Sequence, residues 1–367
     1  MITKFGKRFL TEHISGIQSM SNREIAFGID TGKAISTVSG NGTLVTFTTS
    51  SAHGLYAGDK VSIYGVTPTA YNLTNVSVNT VPTTTTFTVA NTTTTSYVSG
   101  GSVIADTDTR LGFEFYRAPV SIGAPSIDAT VTPNKYYIVY KTTIPQEIAA
   151  TVNEVALYPG SKTVFSNFDS KFISDFEDTL LWSDSNGINP VSISSSSPEN
   201  ITPRLGTYML KSTASSSSTK EYFAKLKSLN ISGYSVNDSL TLAYYKADNN
   251  LQSIKIRFYS SDTAYYEATL VNSPSAGTGH KIVSTTLSDM LLNPVSSPDA
   301  TNISKMSIVV TAKSSGETNA YFDGLRINDE DTFDPAYGMI AKSIFSTSLS
   351  KTAGKQVDIE YKMEMTF

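Results

Sequence analysis

Apolar and polar residues alternate with a period of two through much of this chain. In the last segment Val357, Ile359, Tyr361, Met363, Met365 and Phe367 alternate with Asp358, Glu360, Lys362, Glu364 and Thr366. That pattern predicts a strand with one face buried and one in water. The same alternation runs through SLTLAYYK (239–246), SIKIRFYS (253–260), YYEATLV (265–271) and MSIVVTA (306–312). Their Tyr, Phe, Val, Ile and Thr fit a pleated, half-buried surface. Helical spacing is confined to RFLTEHISGIQ (8–18) and to residues 286–293, where Ser288 is a candidate N-cap. The expected fold class is all-β with minor helix.

Residues 36–104 read as a small β-domain, with Ala57-Gly58-Asp59 as a turn before the inward pair Val61 and Ile63. Residues 170–329 form a second block, opening with SDFEDTLLWSD and closing with NAYFDGLRIND. Its long alternating strands, separated by Ser, Asn, Gly and Pro turns, suit a jelly-roll sandwich. The pieces 1–35, 105–169 and 330–367 are each too short to stand alone. Together they read as one β-rich domain interrupted by two inserted β-domains, an arrangement that exposed loop tips tolerate. The runs TTTT (83–86 and 92–95), SSSSP (194–198) and SSSST (215–219) are expected at strand edges and surface loops, because apolar alternation flanks each of them.

Composition narrows the chemistry. The 367 residues contain no Cys, which excludes thiolate metal sites, disulfide scaffolds and thiol catalysis. Only His13, His53 and His280 are present, too few for a multi-histidine metal centre. His53, before Gly54 and Leu55, reads as the cap of a tight corner. A net charge of −4 argues against nucleic acid as the main partner. No run of 18 apolar residues encodes a membrane span. Ser and Thr make up about a quarter of the chain while charged residues are 16%, below ordinary usage. Such a composition suits a protein exposed outside cells, yet MITKFGKRFL leads into no secretory signal.

The three outer pieces carry EIAFGIDTG (24–32), DTRLGFEFYRAPV (108–120), YYIVYKTTIPQEIAATVNEVALYPG (136–160) and IAKSIFSTSLSKTAGKQVDIEYKMEMTF (340–367). In this order they resemble the attachment domain of tailed-bacteriophage tail, fibre and baseplate-associated proteins. Leu111, Glu114 and Arg117, then Ile144-Pro145, Glu154 and Leu157, then Lys351, Asp358, Ile359 and Tyr361 carry the resemblance. The 47–89 string, with A-H-G-L-x-x-G-D-x-V, is similar to a small β-module of phage tail proteins. The FED…YFDGLRI block resembles carbohydrate-binding jelly rolls, which often hold a structural calcium ion between an early and a late strand. The resemblance puts Glu177 and Asp323 at those positions; a surface carboxylate and a turn carboxylate explain the same pattern.

No H-E-x-x-H, G-x-S-x-G or P-loop pattern occurs. Asp106-Thr-Asp108 lacks the rest of a calcium loop and reads as a turn. The acidic run Asp329, Glu330, Asp331 and Asp334 reads as a solvated junction rather than a glycosidase pair. No catalytic residue and no required cofactor is expected. Tyr244, Tyr245, Tyr259, Tyr265 and Tyr266 are the candidates for stacking on sugar rings, one member of each adjacent pair pointing outward. Trp182 is expected in the core.

The resemblance implies a non-enzymatic structural component of a phage particle, assembled in the host cytoplasm and placed in the tail, baseplate, fibre or neck. It would dock on other virion proteins through the split domain, form a homo-oligomer and display two β-modules. The alternative is a receptor-binding protein that contacts host surface glycans through the jelly roll.

Overall fold

The structure is a computed structural model of the whole chain, described here for residues 1–14, 23–131, 135–159, 171–328 and 338–365. It is all-β, with two short α-helices among the described residues. The chain divides into two compact units, residues 1–162 with 334–367, and residues 163–333.

In the first unit, alternation of Val45, Phe47, Val61, Ile63, Phe87, Val89 and Val103 closes six strands into a barrel around one core. The order around it is Lys33–Gly40, Leu44–Thr49, Thr86–Ala90, Leu73–Thr83, Lys60–Thr67 and Ser99–Ala105. Gly58 supplies the positive φ of the turn that precedes Asp59. His53 is buried against Phe87, and its Nδ1 accepts the Leu55 N–H at 3.0 Å, which closes the corner.

The rest of this unit is a sandwich. One sheet runs Ala341–Lys351, Ala150–Tyr158, Glu24–Gly28, Glu114–Pro119, so strands distant in sequence lie side by side. The other joins Ser126–Asp128, Lys135–Ile144 and Val357–Met365, with Ser121–Ile122 also on Lys135–Ile144. Ile25, Phe27, Tyr140, Ile144, Val152, Leu157, Tyr361 and Met363 fill the space between them, with Phe9 and Leu10 from the helix Lys4–Ile14. That helix starts four residues earlier than its spacing suggested, and positions 15–18 of the expected helix lie outside the described residues. Lys4 pairs with Asp59 and Lys7 with Asp106, at 2.7 and 2.8 Å. Both aspartates are buried, and Asp106-Thr-Asp108 forms a turn.

Residues that carry the sequence resemblance meet inside this unit. Glu154 is fully buried, accepts the N–H groups of Gly112 and Phe113, and pairs with buried Lys342 at 3.2 Å. Arg117 lies 3.9 Å over the Tyr158 ring and makes a two-pronged bond to Glu114. These contacts hold strands together; none forms a reactive arrangement.

The second unit is a jelly-roll sandwich. Its first sheet runs Val191–Ile193, Met209–Ala214, Thr318–Asn328, Ser239–Lys246, Gly279–Thr286, with Lys171–Ser174 also paired to Thr318–Asn328. Its second runs Trp182–Ser183, Thr219–Leu229, Ile303–Ala312, Leu251–Tyr259, Tyr265–Asn272. Leu210, Leu240, Leu242, Phe322 and Leu325 from one sheet meet Ile254, Ile256, Phe258, Ile308 and Val310 from the other. Trp182 packs on Phe176 in this core. The second helix, Ser288–Leu292, starts at Ser288 with Leu287 as its N-cap, so the cap expected at Ser288 is corrected. Ser194–Ser197 and Ser215–Ser218 form tight turns. The acidic run from Asp329 to Asp334 lies outside the described residues.

Candidate functional site

The two outer faces of the jelly roll differ. Because side chains alternate along a strand, each inward core residue has a neighbour on the water side. On the second sheet those outward neighbours are Glu221, Phe223 and Lys225, then Lys305 and Ser307, then Lys255, Arg257 and Tyr259, then Tyr265 and Glu267, of which Ser307 and Tyr259 are covered by their neighbours.

Aromatic rings meet across this face. The Phe223 and Tyr259 centroids are 6.0 Å apart, and those of Tyr259 and Tyr265 are 5.0 Å apart. The Lys305 ammonium lies 5.2 Å from the Phe223 ring and 4.7 Å from Tyr259, and Arg257 lies 5.0 Å over Tyr265. Beside the rings is a hydrogen-bonded network. Arg257 donates to Glu267 at 2.7 Å and to both oxygens of Glu221 at 3.1 Å. Tyr259 and Ser307 hydroxyls also donate to Glu221, and Lys255 to Glu267. Burial alone would raise the Glu267 pKa, but the hydrogen bonds from Lys255 and Arg257 outweigh it and hold the group below its ordinary value. Phe223, Lys255, Arg257, Tyr265 and Glu267 are all half-buried, so water reaches the network.

The outer face of the first sheet is roofed. Ile201 packs with Ile193, Met209 and Tyr321 in a small core of its own. Arg204 and Leu205 donate their backbone N–H groups to Asp323 at 2.8 and 3.2 Å. Thr207 and Tyr208 donate theirs to one oxygen of Glu177, at 2.8 and 2.9 Å. Two carboxylates thus clamp a single five-residue segment. Gly206, between the clamped pairs, has φ +65°, and a Cβ there would overlap the Glu177 carboxylate. His280, under the same roof, is pushed down to about 4 by burial and by the Arg204 charge, so it is neutral near pH 7.

The five tyrosine candidates separate by face. Tyr244 sits in the inter-sheet core, where burial pushes its hydroxyl up to about 12. Tyr266 is in the same core, with its hydroxyl on the Pro298 carbonyl. Neither offers a ring face to a ligand, because both fill the space between the sheets. Tyr245 points to the roofed face, edge-on to His280 and Tyr321. Tyr259 and Tyr265 come together on the outer side of the second sheet, where Tyr259 is buried under its neighbours and Tyr265 is half-buried. Phe223, which joins them, was not singled out in the sequence; its only signal was its outward parity beside core residues Tyr222 and Ala224.

Glu177 and Asp323 both bind the roof segment. Burial lifts Asp323 to about 7, against the pull of the two N–H bonds, and the Glu177 charge adds to the rise. Burial also raises Glu177, its backbone bonds opposing. A buried acid beside a half-buried one, both with raised pKa values, fits a site that a cation would stabilise. Among the described residues no group of three or more His, Cys, Asp or Glu is placed to hold a metal, so further donors would have to be main-chain or neutral side-chain oxygens or water.

No family model matches the sequence, and no curated protein matches it. Among solved structures it is similar to the family 11 carbohydrate-binding module of the Clostridium thermocellum cellulosomal cellulase Lic26A-Cel5E, at 14% identity and TM-score 0.31 over 45% of this chain and 96% of that one. It is similar also to the family 30 module of the Cel9D-Cel44B cellulase of the same organism, at 15% identity and TM-score 0.33, over 44% and 99%. An exo-β-agarase matches at 14% identity and TM-score 0.28, over 46% and 24%. Likenesses this slight decide nothing about what this chain binds.

Proposed function

We propose that the jelly roll is a glycan-binding module whose contact surface is the open face of its second sheet, and that the other unit anchors it. The observation that supports this is the pair of half-buried rings Phe223 and Tyr265, joined through buried Tyr259, beside a network of hydrogen-bonding groups on the outer side of one sheet. Sugar rings present apolar faces that stack on aromatic rings, and hydroxyls that the neighbouring carboxylates and cations can bind. The site binds without reaction: a glycosidase acid needs a carboxyl pKa raised toward neutrality, whereas Glu267 is held below its ordinary value. The test is a glycan array with the intact protein, its Phe223→Ala and Tyr265→Ala variants beside it. Binding lost in both variants, with unfolding midpoints kept, supports the reading; no binding at millimolar concentration removes it.

A structural calcium ion at Glu177 and Asp323 belongs to the same proposal, since it would supply positive charge where buried Asp323 and half-buried Glu177 hold the same segment. A rise in the unfolding midpoint with calcium over chelator, absent in Asp323→Asn, is the expected result.

For the first unit the reading is docking and homo-oligomer formation within a phage particle. It is supported by the sequence resemblance, whose residues Glu154, Leu157, Lys351 and Tyr361 are buried in that unit. Deletion of residues 170–328 should leave a remainder that folds and assembles with particle proteins. Collapse of the remainder would count against it.

A further inference from the structure

The open face carries a row of four side chains set side by side by the pairing register. Lys225 lies opposite Lys305, Lys305 opposite Tyr259, and Tyr259 opposite Tyr265, so one line crosses four neighbouring strands. Two lysines directly opposite each other repel, which weakens a sheet. The Lys225 side chain is exposed and, among the described residues, makes no hydrogen bond or ion pair. Lys227, two positions on, is exposed as well. Lys305 does have a carboxylate partner, Asp262 at 2.7 Å, but the Asp262 side chain is 94% exposed and sits in the loop between Leu251–Tyr259 and Tyr265–Asn272. An ion pair so open to water contributes little to stability. Elsewhere on the face charge is matched, Arg257 and Lys255 against Glu221 and Glu267. The unmatched charge is positive, and it lies in line with the half-buried ring of Tyr265.

Resting on the glycan reading above, we propose that this row takes an acidic polysaccharide, one whose pyranose rings carry carboxylate or sulfate groups. A ring lies against Tyr265, and its anionic substituent goes to Lys305 and Lys225. Asp262 holds, in the free protein, the place that the ligand's anion takes. The face is thereby selective for charge as well as for ring shape, and Asp262 is a competitor that the ligand displaces.

The experiment uses the intact protein on an array of neutral and acidic polysaccharides at 50 and 300 mM NaCl. Each acidic binder is retested after its charged groups are esterified or removed, and single-stranded DNA serves as a polyanion without sugar-ring stacking of this kind. The expected result is binding concentrated among acidic glycans, weakened by salt and by loss of the charged groups. Lys225→Gln should weaken acidic-glycan binding about fivefold and leave neutral binding unchanged. Asp262→Asn should strengthen it, a gain that a damaged fold cannot imitate, and Tyr265→Ala should weaken both classes. Neutral glycans bound as tightly as acidic ones, or no response to Lys225→Gln and Asp262→Asn, would overturn the inference and leave the glycan reading standing. DNA bound as tightly as the acidic glycans would overturn it too, by showing a face that holds any polyanion. Absence of all glycan binding would remove the parent reading and this one together.

Discussion

The two outer faces of the jelly roll start from the same strand alternation and end in opposite states. On the first sheet, a segment held by Glu177 and Asp323 lies over Met209 and Tyr321 and turns an outer face into a second small core. On the second sheet Tyr259 and Ser307 are buried beneath neighbouring side chains, while Phe223, Lys255, Arg257, Tyr265 and Glu267 stay half-buried and the polar groups satisfy one another in the presence of water. The roofed face buries charge at a cost and recovers it through four backbone hydrogen bonds. The open face keeps its charges a quarter exposed and loses little by doing so. The first face carries the clamped segment, and the proposed glycan surface lies on the second.

The comparison breaks most easily at Gly206. Replacement by Ala forces a Cβ into the Glu177 carboxylate at a positive φ, and should cost about 2–4 kcal/mol of jelly-roll stability by denaturant unfolding. A loss below about 1 kcal/mol would show that the roof is not clamped.

Acidity is the next lever. The Asp323 pKa is about 7 in the fold against 3.8 for the ordinary group, so the folded state holds this proton more tightly. Its contribution is fully present below the ordinary value and is lost as pH rises through about 7. Between pH 8 and pH 5 the jelly roll should therefore gain on the order of 2–4 kcal/mol from this group. Asp323→Asn should abolish that dependence, and added calcium should flatten it.

On the open face the expected effects on stability are smaller. Arg257→Gln removes the link between Glu221 and Glu267 and should cost about 1 kcal/mol, since water and Lys255 remain to solvate the carboxylates. Tyr265→Ala should change stability by less than about 1 kcal/mol while reducing glycan retention. If it destabilised the domain as much as Gly206→Ala, the contrast between the faces would fail.

Much of this was legible in the chain. The division of Tyr244 from Tyr245, and of Tyr265 from Tyr266, follows from period two, since adjacent side chains must point to opposite sides. That Glu177 and Asp323 belong near one another was available only through a resemblance, because the residues stand 146 positions apart; what brings them together is that both accept from residues 204–208. Their hydrogen bonds to residues 204–208 had no signature, as backbone donors carry no sequence identity. Phe223 was missed because KEYFAK shows it as one more alternating position; its partners Tyr259 and Tyr265 lie on strands that only sheet order brings near.

The sequence by itself determined an all-β chain, the buried or outward parity of each strand residue, and the absence of thiol chemistry, because these depend on residue type and on neighbours one or two positions away. Only the tertiary structure decided which outward residues meet water and which lie under a roof. That choice is made by a loop crossing a sheet and by the order in which distant strands pair, and both are settled by contacts between residues far apart in the chain. Lys225, Lys305, Tyr259 and Tyr265 are unremarkable in their own segments. They form a row because four strands from different parts of the jelly roll align in one register.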